Sequence, residues 1–148
     1  MGIAEKIYED LKAAMKSGDK VTLEVVRMLK SEFKYKQIEL GRDLNDDEYI
    51  AVIASAAKKR REAIIGFEKG GRADLVAKET KELEIVNKYL PQQLSDEEIE
   101  KIIDVVIKEV NASTPTDIGA VMKALMPKVK GKADGRKVNE LVAKKLNS

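Results

Sequence analysis

The spacing of the apolar residues constrains this chain more than any other feature. They recur three and four positions apart along nearly its whole length, and no stretch alternates with period two for long enough to make a strand. An all-α fold follows. Ile3 to Lys16 sets Ile3, Ile7, Leu11, Ala14 and Met15 on one face, and Ser17-Gly18-Asp19 breaks it while supplying Asp19 as the next cap. From Lys20 to about Leu40 the stripe is Val21, Val25, Val26, Leu29 and Phe33, and Gly41 stands where a left-handed terminal residue is wanted. Asn45 with Glu48 three positions on opens a third helix, which carries Ile50, Ile53, Ala56, Ala57 and Ile64 inward until Gly70-Gly71. A fourth runs from Asp74 to Leu90 and is stopped by Pro91.

Pro91-Gln92-Gln93-Leu94 marks a joint, because Ser95 and Glu98 directly beyond it form a capping box. The expectation is a four-helix N-terminal domain over residues 1–92 and a small three-helix domain over 93–148. In the latter, Asp96 to about Val110 places Ile99, Ile102, Ile103, Val106 and Val110 inward. Thr116 caps a short helix through Leu125, Pro127 and Gly131 lie in a loop, and Asp134 caps a last helix with Val138, Leu141, Val142 and Leu146 inside.

Cysteine, histidine and tryptophan are all absent, which removes disulfides, zinc fingers, thiol nucleophiles, histidine bases and the Ser-His-Asp triad. No nucleophile elbow, P-loop or Gly-rich strand-to-helix turn is present, so no catalytic residue, metal site or cofactor is expected. Asp43, Asp46, Asp47 and Glu48 lack the order of a cation-binding loop and read as helix caps. The tyrosines and phenylalanines are scattered along helices, most of them in or beside the core, and form no stacking platform. The uncharged run around Val52 to Ala57 is far shorter than the roughly 20 residues a bilayer requires. Met1 to Lys6 contain no apolar leader, and the expected compartment is the cytoplasm.

Charge is nearly balanced overall, 28 basic against 26 acidic side chains, but unevenly placed. Arg27, Lys30 and Lys34 share a helix face, and Lys58-Lys59-Arg60-Arg61 spans more than a turn; both read as solvated or internally paired surface. Residues 93–122 are acidic. Residues 123–148 hold Lys123, Lys128, Lys130, Lys132, Arg136, Lys137, Lys144 and Lys145 against Asp134 and Glu140, a formal +6. Several of these flank Gly131 in a loop that runs into a helix N-terminus. Two readings stand side by side, a seat for phosphate and a set of lysines that keeps a small tail in solution.

Three stretches carry a resemblance: Arg72-Ala73-Asp74-Leu75-Val76-Ala77-Lys78-Glu79, Tyr89-Leu90-Pro91-Gln92-Gln93-Leu94-Ser95, and Asp117-Ile118-Gly119-Ala120-Val121-Met122-Lys123 through Gly131-Lys132-Ala133-Asp134-Gly135. The chain resembles the YqeY family, which is similar to the C-terminal tail domain of the B subunit of glutamyl/aspartyl-tRNA amidotransferase. That resemblance implies a helical domain followed by a three-helix domain, and a tail that touches the body of tRNA while other domains do the chemistry. It assigns RNA contact to Lys123, Lys128, Lys130, Lys132, Arg136 and Lys137, with Gly119, Gly131 and Gly135 permitting backbone approach. The Ser-Ser-Lys site of the amidase subunit and the chain length of the B subunit's catalytic cradle are missing. The expectation is therefore a non-catalytic tRNA-binding or adaptor protein linked to tRNA-dependent amidation. A module docking on an amidotransferase or an aminoacyl-tRNA synthetase, or an accessory subunit of a carbon-nitrogen ligase, are the alternatives.

Overall fold

The computed structural model describes residues 2–147. Among them the chain forms α-helices and one short 3-10 helix, with no strand, in two compact units, Met1–Leu90 and Pro91–Ser148. Unit 1 contains α1 (Ile3–Ser17), α2 (Lys20–Leu40), α3 (Asp46–Lys69) and α4 (Ala73–Asn87). Unit 2 contains α5 (Asp96–Val110), a 3-10 helix (Pro115–Asp117), α6 (Ile118–Val129) and α7 (Gly135–Leu146).

In unit 1 the short connections fix where each helix starts. Gly18 and Gly41 take left-handed conformations at φ +73° and +70°, ending α1 and α2. Asp19 then accepts from the Thr22 N–H at 3.1 Å and from the Thr22 hydroxyl at 2.7 Å. Asn45 and Glu48 form the reciprocal capping box of α3, and Arg42 grips Glu48 through two nitrogens at 2.7 and 3.0 Å. Those bonds account for Glu48, and Asp46 and Asp47 stand in the first turn of α3; among the described residues no group of three metal-ligating side chains gathers. The helices bury Ile7, Val25, Val26, Leu29, Phe33, Ile53, Ala56, Ala57, Ile85 and Val86 in one core. Met15, placed inward by its spacing, is instead 59 % exposed, because the inner stripe of α1 closes at Ala14.

Two polar contacts reach into this core. Tyr89 donates to Asp10 Oδ2 at 2.6 Å, and burial followed by that carboxylate pushes its phenol up. Arg60, on α3, turns inward to Glu82 on α4, with Nε 3.6 Å from the carboxylate and each side chain 11 % exposed. Lys58 and Lys59 stay exposed, so the basic run divides between core and surface as a helical turn requires.

In unit 2 Ser95 and Glu98 cap α5, and Ile99, Ile103, Val106, Val121, Leu125, Val129, Val138 and Val142 form the core. Two local expectations change. Thr116 does not cap α6: Thr114 caps the 3-10 helix and Asp117 stands at the N-cap of α6, its carboxylate accepting from the N–H groups of Ser113 and Thr114 at 2.9 and 3.0 Å. Those same bonds hold its acid below the usual carboxylate range. The sixth helix also runs through Pro127 to Val129 instead of stopping at Leu125. Proline in a helix costs about 3 kcal/mol. Pro127 lies in the last turn on the exposed face, and fully burying a residue such as Val129 offsets about 1.5–3 kcal/mol of that.

Candidate nucleic-acid interface

The cationic segment lies between α6 and α7, and the fold holds its backbone firmly. Gly131 adopts φ +75°, a conformation that side chains other than glycine rarely take. The Lys132 N–H donates to the Val129 carbonyl at 2.9 Å, and the Leu94 N–H donates to the Lys132 carbonyl at 2.8 Å. The Gln93 amide donates to the carbonyls of Pro91 and Gly131 at 2.8 and 2.9 Å. The segment that enters unit 2 is thus stapled to the loop that precedes its last helix. Asp134 then caps α7 by accepting from the Arg136 N–H at 3.3 Å.

The six expected RNA-contacting cations divide into two groups. Lys128 pairs with Glu109 at 3.3 Å, Lys137 with Asp96 at 3.0 Å, and Arg136 with Glu140 at 3.8 Å. Lys145 joins this pattern on Asp104 at 2.9 Å, and the hydrogen bond from its ammonium to that carboxylate raises its pKa. Three of these four acids belong to α5, so the acidic and basic stretches of the sequence face one another across the unit. Exposed pairs of this kind contribute little stability, about 0–1 kcal/mol each. Lys123, Lys130 and Lys132 are exposed and make no ion pair among the described residues.

The three glycines also differ. Only Gly131 needs its left-handed backbone. Gly119 lies inside α6 with nothing within 4 Å of an added Cβ, and Gly135 opens α7 with ordinary 3.6 Å spacing to Met126 Cε. Sequence reading missed a second cationic cluster, in unit 1, where the Lys12 and Lys30 ammoniums stand 4.5 and 5.3 Å from the centre of the Tyr8 ring. The shared face of Arg27, Lys30 and Lys34 was visible; its meeting with α1 was not.

Fold and site together define an all-α protein of two compact helical units, the second bearing a pinned cationic loop. The chain belongs to the YqeY family: the model of that family, described as Yqey-like protein, matches residues 4–146. It is similar to proteins named altered inheritance of mitochondria protein 41, mitochondrial. The Lachancea thermotolerans protein is 32% identical over 74% of this chain and 60% of its own length. The Kluyveromyces lactis protein is 32% identical over 78% and 63%, and a Saccharomyces cerevisiae protein 29% over 87% and 61%. The chain thus spans about three fifths of the length of these relatives.

The expectation of a cytoplasmic protein does not stand, since these relatives are named as mitochondrial. That expectation reads Met1 to Lys6 by the pattern of secretory leaders, which are apolar, whereas mitochondrial transit segments are amphipathic and Arg-rich. Among the described residues no helix is long and apolar enough to cross a membrane.

Proposed function

We propose that this chain is a non-catalytic binder of the RNA phosphate backbone, with tRNA as its RNA and unit 2 as the contact. The observation that carries the proposal is the combination at Lys130-Gly131-Lys132. Two exposed ammoniums without an ion pair among the described residues flank a left-handed glycine whose loop is fixed by hydrogen bonds from Gln93 and Leu94. A pre-ordered cationic loop gives up little conformational freedom on meeting a phosphate, whereas a solubilising tail has no need of such fixation. Lys123 supplies a third such charge, and Lys128, Arg136 and Lys137 become available by exchanging surface carboxylates for phosphates. The choice of tRNA, and the link to tRNA-dependent amidation, rest on the resemblance to the amidotransferase tail.

Binding of bulk deacylated tRNA, followed by anisotropy across a salt series, tests this. The expected result is affinity that falls steeply with salt. A Lys123→Gln/Lys130→Gln/Lys132→Gln variant should flatten the log–log slope by roughly 2.7, since each phosphate neutralised accounts for about 0.9. No binding at low salt, or an unchanged slope in the variant, refutes the reading.

A further inference from the structure

We propose that unit 1 carries a binding face of its own, for single-stranded nucleic acid: Tyr8 and Tyr35 stack on bases, and Lys12, Lys30 and Lys34 hold the phosphates between them. The inference stands apart from the reading of unit 2, since every residue in it belongs to α1 or α2.

Tyrosine in a helical bundle ordinarily goes to the core, as Tyr49 and Tyr89 do here. Tyr8 is 49 % exposed and Tyr35 74 %. Between them α2 presents Lys30 and Lys34, one helical turn apart, and α1 adds Lys12, one turn beyond Tyr8 on its own helix. All three lysines are exposed and make no ion pair among the described residues, although acids are plentiful on the same helices. Among those residues Glu39 is the one acid of α2 in an ion pair, and it goes to Lys36 at 3.5 Å. Two ammoniums gathered at one ring, neither in an ion pair among the described residues, repel each other, and an arriving anion relieves that repulsion.

The surface beside Lys30 and Lys34 is recessed. A cleft of about 300 Å³ has Lys30 and Lys34 on its lining with Ile7, Phe33 and Tyr49, and Lys34 also lines a second recess with Ser31, Tyr35 and Ile38. The cleft floor is aromatic, with Phe33 and Tyr49 packed edge to face at 4.9 Å between ring centres. Exposed rings interleaved with cations beside a recess is an arrangement by which proteins hold single strands without reading sequence. A duplex keeps its bases stacked and offers these rings nothing. The lysines ride on flexible stems, so a base that enters against Tyr8 moves their ammoniums outward onto the flanking phosphates.

The test is anisotropy of a labelled twelve-residue oligouridine on the full chain, across salt. Tyr8→Leu should weaken binding at least about five-fold, and Tyr8→Phe, which keeps the ring, should not. Lys30→Gln/Lys34→Gln should lower the salt slope by about 1.4, at roughly 0.7 per phosphate on a single strand. The effects of Tyr8→Leu and of Lys30→Gln/Lys34→Gln should persist at the same size in a Lys123→Gln/Lys130→Gln/Lys132→Gln background, which separates this proposal from that for unit 2. All substitutions are at exposed positions, and circular dichroism confirms folding for each. Absence of oligouridine binding at low salt overturns the proposal, as does equal affinity in Tyr8→Leu together with an unchanged slope in the lysine variant. Polyglutamate bound as tightly as oligouridine also overturns it, assigning the face to acidic peptides.

Discussion

Replacing Glu82 by glutamine removes one charge from the interior of unit 1 and leaves the Arg60 guanidinium behind. Breaking a buried pair from one side costs about 3–5 kcal/mol, because the surviving ion remains desolvated. Arg60 places this case at the lower end. Its Nη1 donates to the Ala56 carbonyl at 3.3 Å and its Nη2 lies 3.2 Å from Met28 Sδ, so two interactions survive the substitution. The removed partner is also distant for a hydrogen bond: Nε, 3.6 Å from Glu82, makes none. A destabilisation of about 3 kcal/mol follows. All four tyrosines, Tyr8, Tyr35, Tyr49 and Tyr89, fall in unit 1, and the chain has no tryptophan, so tyrosine fluorescence in urea reports that unit alone. With a slope of about 1.5 kcal/mol per molar urea, the midpoint should fall by roughly 2 M. Arg60→Met/Glu82→Leu should return to within about 1 kcal/mol of wild type, since two apolar side chains carry no desolvation cost. A Glu82→Gln shift below about 0.3 M, or a double variant less stable than the single one, would refute the reasoning.

Leu125→Ala, at a fully buried position of unit 2, should cost about 2–5 kcal/mol. The effect is read by circular dichroism in urea at helical wavelengths; an unchanged transition would show that the α6 side chain is not in the core. In acid, unit 1 should weaken from pH about 4.5 down to about 2. Glu48 is lowered from 4.5 to about 2, first by its hydrogen bonds from Arg42 and then by the Asn45 N–H, so its stabilisation is complete above its ordinary pKa and disappears as the folded carboxylate protonates. Glu48→Gln should flatten that limb of tyrosine-detected stability against pH, and an identical profile in the variant would contradict the assignment.

Helices and caps were legible in the sequence because both are local. Asp19, Asn45, Ser95 and Asp134 each bond to a group two or three residues away, a distance a motif can encode. Errors came where packing or a competing cap decided. Pro127 stays helical because Val129 fills the core, and Asp117 takes the cap position expected of Thr116 because a 3-10 turn capped by Thr114 comes before α6. The candidate site divides along the same line. The cationic loop is contiguous and could be counted, whereas the pairs Lys128–Glu109 and Lys145–Asp104 span 19 and 41 positions. Tyr8 reaches Lys30 only through the packing of α1 on α2, so no single stretch signals it. Compartment is written in no helix at all.

The pairing of α5 with the basic helices also sets a threshold for whatever approaches unit 2. Asp96, Glu109 and Asp104 act as a tethered competitor, presented to Lys137, Lys128 and Lys145 at an effective concentration on the order of millimolar. A lone carboxylate or a small free anion at low concentration gains little by displacing a partner that never diffuses away. A polymer that presents several phosphates in step gains more, because each exchange makes the next one intramolecular. If unit 2 binds RNA as proposed, the acidic helix would favour ligands of high valence, and Lys130 and Lys132, which make no ion pair among the described residues, would meet the phosphates first.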